Sequence, residues 1–196
     1  FMSKIDKVRC WGDKDPLMRE YHDKEWGVPV HDDRIHFEFI LLEGVQAGLS
    51  WSTVLKRREN YREAFDNFDY EKIANYEADD IEELLKNPGL IRNRRKIESH
   101  VNNARSFLDV RDRYGSFDEY IWSFVEHKPV INSFKSFDQV PASTDTSERM
   151  AKDLKKNGFS FVGPTICYAY MQTVGMVNDH LTHCFRWKEI KKKYES

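Results

Sequence analysis

The chain has 196 residues, of which 40% are hydrophobic, 33% charged and 14% aromatic, with a formal net charge of -2 and a pI of about 6.4. This length is enough for one domain with its own core, and the global charge does not indicate a nucleic-acid partner. No apolar run approaches the roughly 20 residues that cross a bilayer, and no signal-peptide pattern is present, so we expect no membrane association. Three widely spaced cysteines argue against a disulfide scaffold and predict a reducing, cytoplasmic location.

Three helix-start signals occur in the first quarter of the chain. The dipeptide Asp15–Pro16 supplies an N-cap and a first-turn proline for the first predicted helix. Asp32 or Asp33 caps a second helix that extends to about Ala47. Ser50 caps a third helix over the string WSTVLKRRENYREAF.

Further start and stop signals divide the middle of the chain. Asp79 is predicted to open the helix DIEELLKN, which ends before Pro88. The next helix ends at Gly115, and Ser116 with Glu119 forms a capping box for the helix after it. The helix before Gly115 places these apolar residues on one face: Ile97, Val101, Ala104 and Leu108.

The last third of the chain contains an irregular stretch over 127–146 and then two more helices. Gly158 ends the helix SERMAKDLKKN, and Pro164 begins the helix with the string TICYAYMQTVG. No alternating pattern longer than FSFV predicts a strand. We therefore predict an all-α fold of roughly eight to ten helices.

Two cysteines and two histidines form a candidate metal site: Cys10, His22, His180 and Cys184. His180 and Cys184 are four residues apart, which on a helix would put both side chains on one face. Two Cys and two His complete the tetrahedral ligand set of a structural zinc, which would join the chain ends. The alternative is a chance scatter of soft side chains, with three others equally available: His31, His183 and Cys167.

Two connections between predicted helices are candidates for contacts with nucleic acid. The string LKKNGFSFVGPTICYAYM joins two helices through a glycine-containing hairpin, whose amides could bind a phosphate, although an ordinary αα-hairpin has the same pattern. The string LLKNPGLIRNRRK carries four cations between Arg92 and Lys96, which either contact a DNA backbone or form a solvated face.

Glu43 lies inside the apolar string FILLEGVQAGLSW, where a bare carboxylate would be costly to bury. Four aromatic residues with polar ring atoms are near it in sequence: Trp11, Tyr21, Trp26 and Trp51. They either belong to the core or line a pocket for a flat, cationic ring.

Four strings together resemble the bacterial 3-methyladenine DNA glycosylase I family: DPLMREYHDKEWGVPVHDD, FEFILLEGVQAGLSWSTVLKRRENYREAF, GFSFVGPTICYAYMQTVGMVNDH and HLTHC. The resemblance implies an all-α fold of the helix-hairpin-helix glycosylase superfamily. It also implies one domain over 3–190, with a central part over about 33–170. One structural zinc per chain would join the segments at about 3–32 and 171–190 through the four cysteine and histidine ligands.

The resemblance also implies site roles. Glu43 would contact the extruded base as the catalytic residue, with Tyr21, Trp51 and, less closely matched, Trp11 around it. The DNA-binding hairpin would comprise Phe159, Ser160, Phe161, Val162, Gly163, Pro164 and Thr165. Lysine-nucleophile relatives carry their lysine just after the hairpin glycine, where this chain has Pro164 and Thr165. Asp179 is expected to cap a helix or orient His180.

The resemblance implies a monofunctional glycosylase that flips 3-methyladenine out of double-stranded DNA, hydrolyses its glycosidic bond and leaves an abasic site. Separately, we expect the protein to be a monomer. Three alternatives stay open: a non-catalytic DNA-binding module held by zinc, a zinc hydrolase, and a glycosylase for another alkylated base. With an acidic pI, DNA binding would depend on local cations: Arg92, Arg94, Arg95, Lys155 and Lys156. The basic tail after Trp187 either adds contacts or is disordered.

Overall fold

The computed structural model describes residues 7–195, which contain ten α-helices and one short two-stranded parallel sheet. Residues 3–6 of the predicted domain lie outside this range. The helices are α1 Pro16–Lys24, α2 Asp33–Gln46, α3 Trp51–Ala64, α4 Tyr70–Ala74, α5 Ala78–Lys86, α6 Arg94–Tyr114, α7 Phe117–Trp122, α8 Asp145–Lys156, α9 Pro164–Thr173 and α10 Phe185–Tyr194. None of the described helices is long and apolar enough to span a bilayer.

Side-chain capping explains where the first three helices begin, as predicted. The side chains of Asp15, Asp32 and Ser50 each accept a hydrogen bond from an amide in the first turn that follows. Asp33, the alternative cap of α2, instead binds the amides of Phe117 and Asp118 at 3.0 and 2.8 Å. One aspartate therefore starts α2 and its neighbour joins α2 to α7.

One predicted helix start, one predicted capping box and the disordered alternative for the basic tail need correction. α5 begins at Ala78 rather than Asp79, because Glu77 and Asp80 form the capping box. Ser116 accepts from the Glu119 amide, but the Glu119 carboxylate approaches His127 at 3.5 Å instead of closing the box. The basic tail is ordered as α10.

The strands also lie at residues other than the string that the sequence pattern indicated. The FSFV string is irregular. The sheet forms instead between β1 (Val130–Ile131) and β2 (Val177–Asn178), paired in parallel. Each strand is only two residues long, which is too short for an alternating apolar and polar pattern to be recognised in the sequence.

The apolar helix α2 lies at the centre of the fold, and its residues from His36 to Val45 are all buried. It packs against α3, α6, α7 and α9. Because neighbours surround it, its sequence has no polar face, which explains the long apolar string around Glu43. The central position of α2 fixes that carboxylate inside the molecule.

The segment between α1 and α2 packs on the last turn of α9 and on the residues that follow it. Gly27 N donates to Gln172 O and Val30 N to Val174 O, both at 2.9 Å. Gly175 has φ of +73°, and a Cβ there would lie 2.2 Å from the backbone carbon of Val28. This approach, which only glycine permits, brings the segment before α2 and the segment after α9 together.

Candidate active site and metal cluster

A cavity of about 240 Å³ opens where α1, α2, α3 and α9 meet. It contains all four residues that were predicted to act around a base, Glu43, Tyr21, Trp51 and Trp11. Its remaining lining residues are Met18, Trp26, Gln46, Ala169, Gln172 and Thr173. Those on α9 had no local signal in the sequence, because only packing against α2 brings them to the cavity.

Glu43 is the carboxylate of this cavity, and its side chain is almost completely buried, with the residue 2% exposed. Its Oε1 accepts a hydrogen bond from the Thr173 hydroxyl at 3.0 Å, whereas Oε2 has no partner within the described residues. Burial raises the pKa of Glu43 to about 8, and the bond from Thr173 only partly opposes this. An oxygen without a partner leaves one acceptor for a ligand.

A short hydrogen-bonded chain holds the Glu43 carboxyl group in place. The Tyr21 hydroxyl donates to the Thr173 hydroxyl at 3.1 Å, and Thr173 in turn donates to Glu43. Burial holds the pKa of Tyr21 well above its usual value, so the phenol keeps the proton that it donates. Three helices, α1, α2 and α9, thus set the position of one carboxyl group.

Aromatic rings also line the cavity. The Trp51 ring lies 5.6 Å from the Tyr21 ring at 46°, and the Trp11 ring lies 6.1 Å from Tyr21 at 45°. Trp11 also packs edge-on against Trp26 at 5.2 Å. Aromatic rings that line a cavity are suited to a planar or cationic group.

Charged side chains of α2 and α3 and of the residue after α1 connect the helices that carry these groups. Arg58 on α3 binds Glu25 at the end of α1 through two bonds of 2.8 and 2.9 Å, and Glu38 on α2 at 2.7 Å. A bidentate guanidinium pair restricts both position and angle. This network holds α1, which carries Tyr21, against α3, which carries Trp51.

Lys96 differs from the other cations in its basic string, because it is buried. Its Nζ donates to Val45 O at 2.9 Å and to Ala47 O at 2.6 Å, at the C-terminal end of α2. Loss of hydration lowers the pKa of Lys96. The sequence pattern assigned Lys96 to a DNA contact or a solvated face, and both assignments are wrong because its ammonium caps orphan carbonyls of α2.

The four predicted metal ligands converge on one point although they come from opposite ends of the chain, and all their ligand atoms lie within 4.8 Å of one another. The Cys10 sulfur is 3.5 Å from His22 Nε2 and 3.6 Å from His180 Nδ1. The Cys184 sulfur is 3.4 and 3.6 Å from the same two atoms. Tetrahedral zinc with bonds of about 2.3 Å to sulfur and about 2.0–2.1 Å to nitrogen separates S and N by about 3.5 Å. The donor set and its spacing therefore fit that metal.

The outer nitrogens of both histidines are held in the way that metal-binding imidazoles require. His22 Nδ1 lies 2.7 Å from Asp23 Oδ1, and Arg9 binds that carboxylate through both oxygens. His180 Nε2 donates to the Trp26 carbonyl at 2.7 Å. These bonds direct His22 Nε2 and His180 Nδ1 toward the two sulfur atoms.

Several expectations about this cluster are corrected. His180 and Cys184 do not share a helix, because both precede α10 in an irregular turn. Asp179 does not bind His180 and instead accepts from Asn132 Nδ2 at 2.7 Å and Gln172 Nε2 at 2.9 Å. The alternative ligands lie elsewhere: His31 contacts Asp118, Cys167 donates to Val162 O, and His183 is exposed.

Of the predicted hairpin, Phe159–Thr165, the residues up to Gly163 lie between α8 and α9, whereas Pro164 and Thr165 begin α9. Phe159 and Val162 are buried, whereas Phe161 is half-buried with φ of +55°. Within residues 7–195, the amides of Phe161, Val162 and Gly163 donate to no acceptor. Such a turn before a helix N-terminus suits an anion.

Comparison with known proteins shows that the chain is similar to methyladenine glycosylases over most of its length. A family model described as methyladenine glycosylase matches residues 11–187. The chain is 49% identical to DNA-3-methyladenine glycosylase 1 of Escherichia coli K12 over 177 residues, which are 90% of this chain and 95% of that protein.

Two solved structures share the fold. A crystal structure of 3-methyladenine DNA glycosylase I has a TM-score of 0.88 and 53% identity, covering 91% of this chain and 98% of the other. A variant of 3-methyladenine DNA glycosylase I in complex with 3-methyladenine also has a TM-score of 0.88, at 38% identity, covering 90% and 95%. By sequence and by fold, the chain belongs to the methyladenine glycosylase family.

Proposed function

We propose that this protein hydrolyses the N-glycosidic bond of 3-methyladenine in double-stranded DNA and leaves an abasic site. The observation that carries this proposal is a buried carboxyl group, Glu43, with a free oxygen on the wall of an aromatic cavity. The cavity, at about 240 Å³, is just below the range of about 300–1,000 Å³ for drug-sized ligands. Its size suits a single base rather than a nucleotide.

The lesion would reach the cavity after it is flipped from the duplex, which costs less for a base whose stacking and pairing are already weakened. A 3-methylated adenine in DNA is cationic, so the faces of Tyr21, Trp51 and Trp11 would attract it, by about 2 kcal/mol when water is excluded. Glu43 would accept a hydrogen bond from the polar edge of the base. Neutral adenine lacks the charge that the cavity favours.

The charge of Glu43 would change when the base binds. In the empty cavity its pKa of about 8 keeps it mostly protonated at neutral pH. A cation placed beside it favours the carboxylate, so base binding would release a proton. The glycosidic bond then breaks with its electron pair returning to the base, water bonds to C1′ of the sugar, and the proton of that water passes to solvent.

Cys10, His22, His180 and Cys184 would hold one structural zinc. The ion would supply cross-linking rather than water activation, since four protein ligands leave no open position. With Gly27 packed on His180, the ion would lock the segment before α2 to the segment after α9. This supports a single domain that includes the segments before α2 and after α9, and we propose that it acts as a monomer.

The hairpin would bind the DNA backbone through the amides of Phe161, Val162 and Gly163. Lys155 and Lys156 are exposed just before it and would add charge. Pro164 and Thr165 follow Gly163 and provide no amine for attack on the sugar. Hydrolysis without strand cleavage is therefore the expected reaction.

The test is chromatography of the bases released from methylated DNA. We expect release of 3-methyladenine in preference to 7-methylguanine and 3-methylguanine, and loss of this release in Glu43→Gln. Glu63→Gln, an exposed carboxylate on α3, is the matched control and should keep wild-type activity. A folded Glu43→Gln variant that excises at the wild-type rate contradicts the assigned role, and wild-type protein that binds DNA but releases no base favours a non-catalytic module.

A further inference from the structure

Two side-chain amides line the base cavity, Gln46 and Gln172, and they differ in how they are held. The Gln46 side chain forms no hydrogen bond within residues 7–195, whereas Gln172 Nε2 donates to Asp179 Oδ2 at 2.9 Å. We propose that Gln172 presents its amide oxygen to the cavity and selects bases with an amino group at purine position 6, an inference that rests on the proposed function.

Asp179 determines which end of the Gln172 amide faces the cavity. Asp179 is buried, and it also accepts from Asn132 Nδ2 at 2.7 Å and from the Tyr168 hydroxyl. Because three donors surround it, the Asp179 carboxylate acts as an acceptor. A reversed amide would place the Gln172 oxygen against a carboxylate oxygen and leave a buried acceptor without its donor, which is costly. The NH2 group therefore faces Asp179, and Oε1 lies on the other side of the amide.

Helix α9 carries Gln172 next to the residue that binds Glu43. Gln172 and Thr173 follow Ala169 by three and four residues, so the three form one stripe of α9 along the cavity. The Thr173 hydroxyl donates to Glu43 Oε1, and Glu43 Oε2 has no partner in the described range. Gln172 Oε1 likewise accepts no hydrogen bond from the part of the chain that the structure describes. The cavity therefore has one unused acceptor on α2 and one on α9.

Two acceptors match the amino group at position 6 of adenine, which has two N–H bonds to donate. Guanine and hypoxanthine carry an oxygen at that position, and this oxygen can only accept. Such a base would set its oxygen against Gln172 Oε1 and leave both without a hydrogen bond. A site built to bind an N–H group rejects ligands that lack it, because its own buried polar atoms are then unpaired.

Glu43 alone would not distinguish an amino group from an oxygen. Burial raises the pKa of Glu43 to about 8, so its protonated carboxyl group could donate to a 6-oxo base at neutral pH. The Gln172 amide has no such second state, and it cannot rotate without losing its bond to Asp179. Selectivity at position 6 therefore depends on Gln172, and Asp179 acts through it as a positioning residue.

The test compares two free bases that differ at position 6, 3-methyladenine and 3-methylhypoxanthine, with dissociation constants measured by tryptophan fluorescence. Gln172→Met keeps a side chain of similar length but removes the amide. We expect the preference for 3-methyladenine to fall roughly ten-fold in this variant, the size of one lost hydrogen bond. Gln139→Met, which changes an exposed glutamine outside the cavity, is the matched control and should keep the wild-type preference.

Asp179→Asn tests the orientation of the amide. An asparagine both donates and accepts, so the Gln172 amide could turn its NH2 group into the cavity and donate to an oxo group. We expect 3-methylhypoxanthine to bind this variant more tightly than it binds the wild type, which a loss of packing would not produce. Circular dichroism and metal content serve as checks on the fold, because Asp179 directly precedes His180.

An unchanged preference in folded Gln172→Met overturns the role of Gln172. If Asp179→Asn weakens the binding of both bases equally, the positioning role of Asp179 is wrong. Base release from methylated DNA by the wild-type protein tests the proposed function separately. If 3-methyladenine is released while Gln172→Met keeps its preference, only the selectivity at position 6 fails. If the preference falls as expected but no base is released, the proposed function fails instead.

Discussion

Tyr21 and His22 are consecutive residues of α1, yet they belong to two regions with opposite hydrogen-bonding states. His22 faces the Cys–His cluster, where both ring nitrogens have partners and Asp23 and Arg9 complete a second layer. Tyr21 faces the base cavity, where Glu43 Oε2 and Trp51 Nε1 are buried without partners in the described chain.

The difference indicates what each region does. Four soft ligands at tetrahedral spacing leave little for a further ligand to satisfy, so the cluster is suited to stability. A buried acceptor and donor left without partners cost free energy until a ligand supplies them, so the cavity is suited to binding. The following changes separate the two regions, from the largest expected effect to the smallest.

Removal of the metal should affect stability most. An ion that binds only the folded state at about 1,000 times its Kd stabilises that state by about 4 kcal/mol. Chelation, or Cys184→Ser, should therefore lower Tm by roughly 8–16 °C, as measured by circular dichroism with metal content from atomic absorption. Cys167→Ser, which changes a cysteine outside the cluster, is the control for metal content. An unchanged Tm together with full metal loss would contradict a stabilising role.

Glu43→Gln should have the opposite effect on stability. The folded-state pKa of about 8 lies above the ordinary glutamate pKa of 4.5, so the wild-type protein loses stability as pH rises from about 4.5 to 8. The variant lacks this titration and should be more stable by about 3 kcal/mol at pH 7, with no difference below pH 4. Urea unfolding at several pH values tests this. If the free energy of unfolding changes with pH in the same way in both proteins, the pKa of Glu43 is not raised by burial.

Lys96→Met should affect excision more than stability. The substitution removes the cap of α2, but it also removes a buried ammonium that has lost its hydration. We expect a roughly ten-fold slower single-turnover excision, about 1.4 kcal/mol in the barrier, because the connection between Glu43 and Trp51 loses its anchor. Tm should shift by only a few degrees. Lys56→Met, on the exposed face of α3, is the control. Equal excision rates in both variants would contradict a role of Lys96 in positioning Glu43 and Trp51.

The local signals in the sequence were sufficient for most of the helices. Asp15, Asp32 and Ser50 cap the helices that they were predicted to cap, because an N-cap depends only on a side chain and the amides two or three residues later. The error at Asp79 has the same local origin, since Glu77 and Asp80 compete for the same helix start.

Long-range packing decided the arrangement of the site. Nothing near Cys10 indicates that it meets Cys184, and Lys96 reads as one of four surface cations until α6 packs under α2. Likewise, Arg94 and Arg95 are equivalent in the sequence and differ only because Glu82 reaches one and Phe161 the other. The sequence by itself determined the helices and, through its family strings, the candidate residues. Only the tertiary structure decided which polar groups keep a free atom, because that depends on partners far apart in the chain.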